Sequence, residues 1–292
     1  MYHVVIPKIG AATAWRTAAR GFLAAQIPPH EICWQEPGAA PELFARTQAP
    51  PPTGDIKVSR RFVAMANSVV WHRDRDRFAC LYGFLWRLRD APHLIGDHGD
   101  PHLARLRRME KNVHRCQHKM KAFVRFREIG DREAPRRSFA AWFEPTHHTV
   151  EPTASFFARR FGDMDWRIIT PDKTAICVDG VVSFSAGQPR PDLPEDAHED
   201  LWIAYFENIF NPARLKVSAM CSEMPKKYWK NLPEAAAIAN LVKTAPERAE
   251  EMARAAPTLP PLRAERMKER LARFDASDVS GPPQSSAAHR QK

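Results

Sequence analysis

The residues best suited to chemistry lie in the stretch Glu144-Pro-Thr-His147-His148-Thr-Val-Glu151. Imidazole and carboxylate groups serve as metal ligands or as a general acid and base. Adjacent histidines on an extended chain point to opposite faces, so at most one of His147 and His148 shares a face with Glu151. The His148-x-x-Glu151 spacing is less specific than H-E-x-x-H. For Glu144, His147, His148 and Glu151 the residue types therefore leave open a metal or acid/base site, a nucleic-acid contact, or a structural role. His114 and His118 stand four residues apart, which on a helix brings them to one face. Arginines and lysines surround them, and cations disfavour a dication, so no metal site is assigned there. The run Lys226-Lys227-Tyr228-Trp229-Lys230 alternates cations with aromatic rings. It suits a nucleic-acid backbone with a base stacked on Tyr228 or Trp229. It equally suits two aromatic residues anchored in a core beside solvated lysines.

The element that must position much of this is a helix with a clear start. Asp100 is a good N-cap and Pro101 a good first helical residue. Leu103, Leu106, Met109, Val113, Cys116 and Met120 follow three-and-four spacing and form one apolar stripe. The opposite side carries Arg107, Lys111, His114, His118 and Lys121, flanked by Arg108, Arg115 and Lys119. Between Pro101 and Arg137 twelve basic residues face four acidic ones, a surplus of +8. A one-sided basic helix running into a basic strand, with Arg125 and Arg127 on one strand face, is an electrostatic footprint for phosphates. A solvated helix face has the same pattern.

The remaining elements follow from periodicity and punctuation. Tyr2–Pro7 reads as a strand and Thr13–Gln26 as a helix. A second helix is expected from Ser59 to Val70 and a third from Asp76 to Leu88. The intervening His72-Arg73-Asp74-Arg75-Asp76-Arg77 reads as a polar turn leading into a charged first helical turn. Strands are expected at 123–127, 138–144, 166–170, 175–178 and 181–184, with a short helix from Pro152 to Phe161. Asp179-Gly180 is the strongest hairpin signal. Helical segments follow over Leu201–Phe210, from near Ala213, and over Thr244–Ala256. The expected fold class is α+β: an antiparallel sheet with N-terminal and C-terminal helices packed around it. In domain terms, 1–256 form a single α+β domain, helical over 10–121, sheet over 122–187 and helical over 195–256. A C-terminal helix over 257–275 and a disordered tail over 276–292 follow it.

The formal net charge of +10 and a pI near 9.6 favour a polyanionic partner. No apolar run approaches the ~20 residues of a membrane helix. The N-terminus lacks the pattern of a signal peptide. Five dispersed cysteines without a C-x-x-C pair argue against a zinc ribbon and fit a reducing cytoplasm. No dinucleotide, P-loop, nucleophile-elbow or zinc-deaminase signature is found.

The phrases HRDRDRFACLYGFLWRL, HKMKAFVRFRE, WFEPTHHTVEPTASFFARRF and NPARLKVSAMCSEMPKKYWKNLPE occur in order across the chain. Over roughly Tyr2 to Met252 it resembles an uncharacterised bacterial family described as DNA-metabolism or DNA-repair proteins. In that family the domain stands alone or is fused ahead of a UdgX-type uracil-DNA glycosylase domain. Its gene is paired with one for a radical-SAM DNA-modification protein. The resemblance implies DNA, a radical-SAM protein and a uracil-DNA glycosylase as partners. It supplies no catalytic residues and no cofactor. This chain lacks G-E-A-P-G and H-P-S glycosylase phrases and a C-x-x-x-C-x-x-C run, so neither chemistry is implied for it.

Three functions follow as expectations. The first is a DNA-binding accessory protein of base repair or modification, with phosphates held by Arg107, Lys111, Arg115, His118, Lys119, Arg125, Arg127, Lys226 and Lys227. The second is a nucleic-acid-modifying enzyme centred on His147, His148 and Glu151. The third is a protein-interaction scaffold. Protonation of His147 or His148 near the ordinary imidazole pKa further predicts tighter DNA binding at pH 6 than at pH 8.

Overall fold

Two parallel strands open the chain: β1 (Tyr2–Val5) pairs with β2 (Ile32–Gln35) through α1 (Ala11–Ala24). A parallel pair needs a crossover, and α1 supplies it. The short β2 has no alternating pattern and was not among the expected strands. The computed structural model describes residues 1–38, 49–51, 56–131, 133–193, 216–232 and 235–255, together with Ile203, Glu207 and Asn211. After β2 come α2 (Arg60–Val69), α3 (Arg77–Asp90) and α4 (Pro101–Phe123), all where their periodicity placed them. They pack with α1 around a core that includes Trp15, Phe22, Phe62, Phe78, Leu81, Tyr82 and Phe84.

All six residues of the apolar stripe on α4 are buried. Asp100 accepts a hydrogen bond from the Leu103 N–H at 2.8 Å, so the expected cap forms. Its carboxylate also pairs with Arg87 on α3, at 3.2 Å for one of two contacts. The Arg87 guanidinium, and then the Leu103 N–H, hold the Asp100 carboxyl down to about 2. One residue therefore caps α4 and fixes it to α3.

A five-stranded sheet follows, in the order β3 (Arg127–Ile129), β4 (Ser138–Trp142), β5 (Asp165–Ile169), β6 (Lys173–Val178), β7 (Val181–Ala186). The sheet is mixed and not plainly antiparallel. β4 and β5 run parallel, whereas the other neighbours are antiparallel. The cause is α5 (Val150–Arg160), which carries the chain back across the sheet before β5 begins. The helix is at its expected place, and the strand direction follows from it. The strand expected at 123–127 also shifts. The Val124 N–H still donates to Met120 at 3.1 Å and Val124 is buried, so the last bond of α4 falls at Val124, and 124–126 are neither helix nor strand before β3 starts at Arg127. At the hairpin, Asp179 and Gly180 have φ of 50° and 77°, as a tight two-residue turn of the primed type requires.

A second core forms between the sheet and the helices, around Met120, Phe143, Phe157, Trp166 and Ile168. The chain ends its described course with α6 (Val217–Glu223), a 3-10 turn (Lys226–Asn231) and α7 (Ala235–Arg254). The helix expected over 201–210 lies outside the described residues apart from Ile203 and Glu207. The segments 257–275 and 276–292 lie outside them altogether. No helix among the described residues is long and apolar enough to cross a membrane.

Candidate nucleic-acid interface

Burial of the apolar stripe of α4 turns its basic side outward, and that side forms one wall of a groove of about 1060 Å³. Arg107, Lys111, Arg115, His118 and Lys119 line it from α4. Ser222, Glu223 and Lys227 line the opposite wall, and His72, Thr146 and His147 lie between. Five lysines and arginines thus meet two carboxylates, Glu110 and Glu223. Three sequence features far apart in the chain are brought together here: the basic helix, one histidine of the Glu144–Glu151 cluster, and one lysine of the aromatic run.

These cations do not all stand alike. Lys119 donates to the Ser222 carbonyl at 3.4 Å and to the Glu223 carboxylate at 3.0 Å, so it ties the two walls together. That bond holds the Glu223 carboxyl below its ordinary range. Arg107 donates to the Ile95 carbonyl at 3.3 Å and lies 3.1 Å from His98 Nδ1. Lys227 Nζ donates to Thr146 Oγ1. His114 Nε2 lies 2.9 Å from Ser68 Oγ. Lys111 and Arg115 are exposed, and no hydrogen bond or ion pair engages them among the described residues.

His147 is only 9% exposed, and its ring stacks on that of His72 with centroids 4.2 Å apart. The Arg73 N–H donates to His147 Nδ1 at 3.2 Å, and the Asp74 N–H donates to His72 Nδ1 at 3.1 Å. Each ring accepts at Nδ1, so the neutral form carries its proton on Nε2. Burial pushes His147 down to about 4, and His72, Arg73, His148 and Lys227 push in the same direction. Burial also lowers His72, against the pull of Asp74. His148 is lowered by burial and then by Arg77, with Asp172 opposing. The expectation of tighter DNA binding at pH 6 through His147 or His148 is therefore corrected: neither ring gains a proton between pH 8 and pH 6.

His148 does point away from His147, although 146–148 form a bend and not the extended segment expected. It opens on a second pocket of about 280 Å³, shared with Trp71, Arg73, Arg77, Asp172 and Lys173. His148 Nδ1 lies 3.6 Å from Asp172 Oδ2, and Arg73 pairs with the same carboxylate. Glu151 pairs with the buried Lys173 and accepts from the Gly10 N–H at 3.0 Å, at the N-terminus of α1. A carboxylate there complements the helix dipole. Glu144 lines neither pocket. Glu144, His147, His148 and Glu151 therefore do not converge on one point. Among the described residues there is no group of three or more His, Cys, Asp or Glu side chains that could hold a metal ion.

Two other expectations change. Tyr228 is 3% exposed, with Phe143 stacked on it at 5.2 Å and Phe123 at 5.6 Å. Its ring faces are taken by the core, so base stacking does not fall to Tyr228. Trp229 is half-buried, donates from Nε1 to the Met224 carbonyl at 2.9 Å, carries Lys226 5.9 Å from its ring, and does not line the groove. Arg125 and Arg127 lie outside the groove as well. Arg125 donates to the Ala122 carbonyl at 2.8 Å near the end of α4, and Arg127 to the Leu193 carbonyl at 3.4 Å.

The run His72–Arg77 carries more than a polar turn. The Arg73 side chain donates to the Thr146 carbonyl at 2.8 Å, clamping this loop to the one that bears both histidines. Arg77, 4% exposed, donates to the Val70 carbonyl at 3.0 Å and pairs with Glu36 at 2.9 Å. The signal in the sequence was Arg73 and Arg75 in the turn and Arg77 opening the next helix, where two helices meet whose apolar faces both demand burial.

No curated protein and no solved structure matches the chain. Residues 75–234 match a family described as a domain of unknown function, a span that holds every groove residue named above except His72. The match covers more than half of the 292 residues, and the chain belongs to this family, DUF4130.

Proposed function

We propose that this protein is a DNA-binding accessory factor of base repair or base modification. The observation that carries this reading is the single groove in which the outer face of α4, His147 and Lys227 meet. Its excess of cations suits phosphates, and Lys111 and Arg115 stand ready to take them without breaking an existing bond. The setting in repair or modification, with a radical-SAM protein or a uracil-DNA glycosylase as partner, is supported by the long phrases quoted above. A cytoplasmic location is supported by five free cysteines.

The catalytic alternative is weakened by the separation of His147, His148 and Glu151. The test is a DNA titration over a range of salt concentrations. Affinity falls as salt rises, each neutralised phosphate contributing about −0.9 on a duplex or −0.7 on a single strand to the log–log slope. Affinity that ignores salt, or no binding at low salt, overturns the reading.

A further inference from the structure

We infer that the pocket beside His148 is a binding site for a small phosphate dianion, free or as a monoester. This goes beyond the DNA-binding reading and does not rest on it. The pocket lies where the chain topology opens a crevice. β1 and β2 run parallel, with Val5 opposite Gln35, so both strands end at one edge. Ile6, Pro7 and Lys8 leave β1 there, Glu36 and Pro37 leave β2, and Ala11 opens α1; all of them line the pocket. A crevice outside the carboxyl ends of parallel strands is where α/β units take their ligands. The volume of about 280 Å³ is close to the lower end, about 300 Å³, of small-molecule sites.

The pocket is lined by Lys8, Arg73, Arg75, Arg77 and Lys173, more cations than its internal pairs neutralise. Glu36 takes Arg77 at 2.9 Å, Asp172 takes Arg73, and Glu151 takes Lys173. Lys8 and Arg75 remain. Both are exposed, and no hydrogen bond or ion pair engages either side chain among the described residues. They bring two positive charges without a counter-ion, as many as a phosphate monoester neutralises above its second pKa of about 6. A monocarboxylate would leave one of them over. A dicarboxylate divides its charge between two groups, whereas phosphate gathers it on one centre whose oxygens match the fork of a guanidinium. The end of α1 adds little, because Glu151 already accepts from the Gly10 N–H, so recognition falls to the side chains. The Arg77 and Lys173 side chains are 5% and 4% exposed, so water screens their charge weakly on the inner wall. His148, kept neutral by burial, adds a ring that hydrogen-bonds without bringing a charge.

The test uses the full chain and isothermal titration calorimetry with inorganic phosphate, deoxyadenosine 5′-monophosphate, deoxyadenosine and succinate, at a pH well above the second phosphate pKa. At least one phosphate probe should bind, and the nucleoside and the dicarboxylate should not. Tighter binding of the nucleotide assigns the source to a mononucleotide, and equal or tighter binding of inorganic phosphate assigns it to the free ion; both support the inference. Lys8→Ala with Arg75→Ala, both at exposed positions, should weaken phosphate binding by about tenfold or more while leaving the circular dichroism spectrum unchanged. Lys111→Glu with Arg115→Glu, in the groove, should leave phosphate binding as it was. If the pocket variant misfolds, hydrogen exchange on the wild type replaces it, with the bound probe expected to protect 71–77 and 146–149. The inference is overturned if neither phosphate probe binds, or if deoxyadenosine or succinate binds as tightly as they do. It is equally overturned if affinity survives in the pocket variant, if it is lost in the groove variant, or if protection falls on 217–228 instead.

Discussion

The rings of His72 and His147 stack at 4.2 Å, and each accepts a backbone N–H at Nδ1, from Asp74 and Arg73 respectively. Burial lowers both rings, His147 to about 4. In the unfolded chain each takes up a proton near 6.5, whereas folded His147 does so only near 4. Between those values the unfolded state binds more protons, so the stabilisation is complete above about pH 6.5 and is lost as pH falls towards 4. His147→Asn, whose amide oxygen can still accept from Arg73, should lessen this acid sensitivity by on the order of 2 kcal/mol. Urea denaturation of both proteins at pH 7 and pH 4.5 measures it.

Burial holds His147 and His148 near 4, which fixes how binding responds to pH. His147→Ala and His148→Ala should each retain the wild-type ratio of affinities at pH 6 and pH 8. A ratio that collapses in either variant would mean that a ring is charged in that range.

Glu151 and Lys173 form an ion pair whose side chains are 12% and 4% exposed. Removing one charge leaves the other buried without its partner. Glu151→Gln should therefore destabilise the fold by about 3–5 kcal/mol, and Glu151→Leu with Lys173→Met should recover most of the loss. Differential scanning calorimetry of the three proteins decides it.

Arg125→Ala with Arg127→Ala should lower the melting temperature and leave DNA affinity within twofold. Both guanidinium groups donate to backbone carbonyls, and neither lines the groove. A large fall in affinity at unchanged stability would relocate the interface to β3.

Lys119→Ala should speed amide exchange in α6 and weaken DNA binding several-fold, because the wall carrying Glu223 loses its tie to α4. Lys119→Arg should restore part of both effects. A purely electrostatic role would leave exchange in α6 untouched.

Much of the fold was legible where a side chain's duty is local. The six stripe residues of α4, the Asp100 cap and the Asp179-Gly180 turn each depend on spacing or on one backbone conformation, and each appears as expected. The parallel β4–β5 pair was less legible, since strand direction is a property of the connection and not of the strand. At the site, the outward basic face of α4 could be read from helix geometry, whereas His147 and His148 diverge in a bend and not on the strand whose alternation was expected to part them. The clamp from Arg73 to Thr146 could not, because 73 positions separate its ends. Nor could the fate of Tyr228 be read, since a lysine-flanked aromatic has the same sequence whether Phe143 or a nucleobase covers it.

α4 lends Leu103, Leu106, Met109 and Val113 to one apolar core and Met120 to the other. Neither core can melt without taking part of the helix with it, so heat or denaturant should produce one transition and not two. The row of cations on the far side of that helix consequently behaves as a ruler. The distance from Arg107 to Lys119 is set by a rod fastened along its length in two places, and any polyanion docking there must adapt to it.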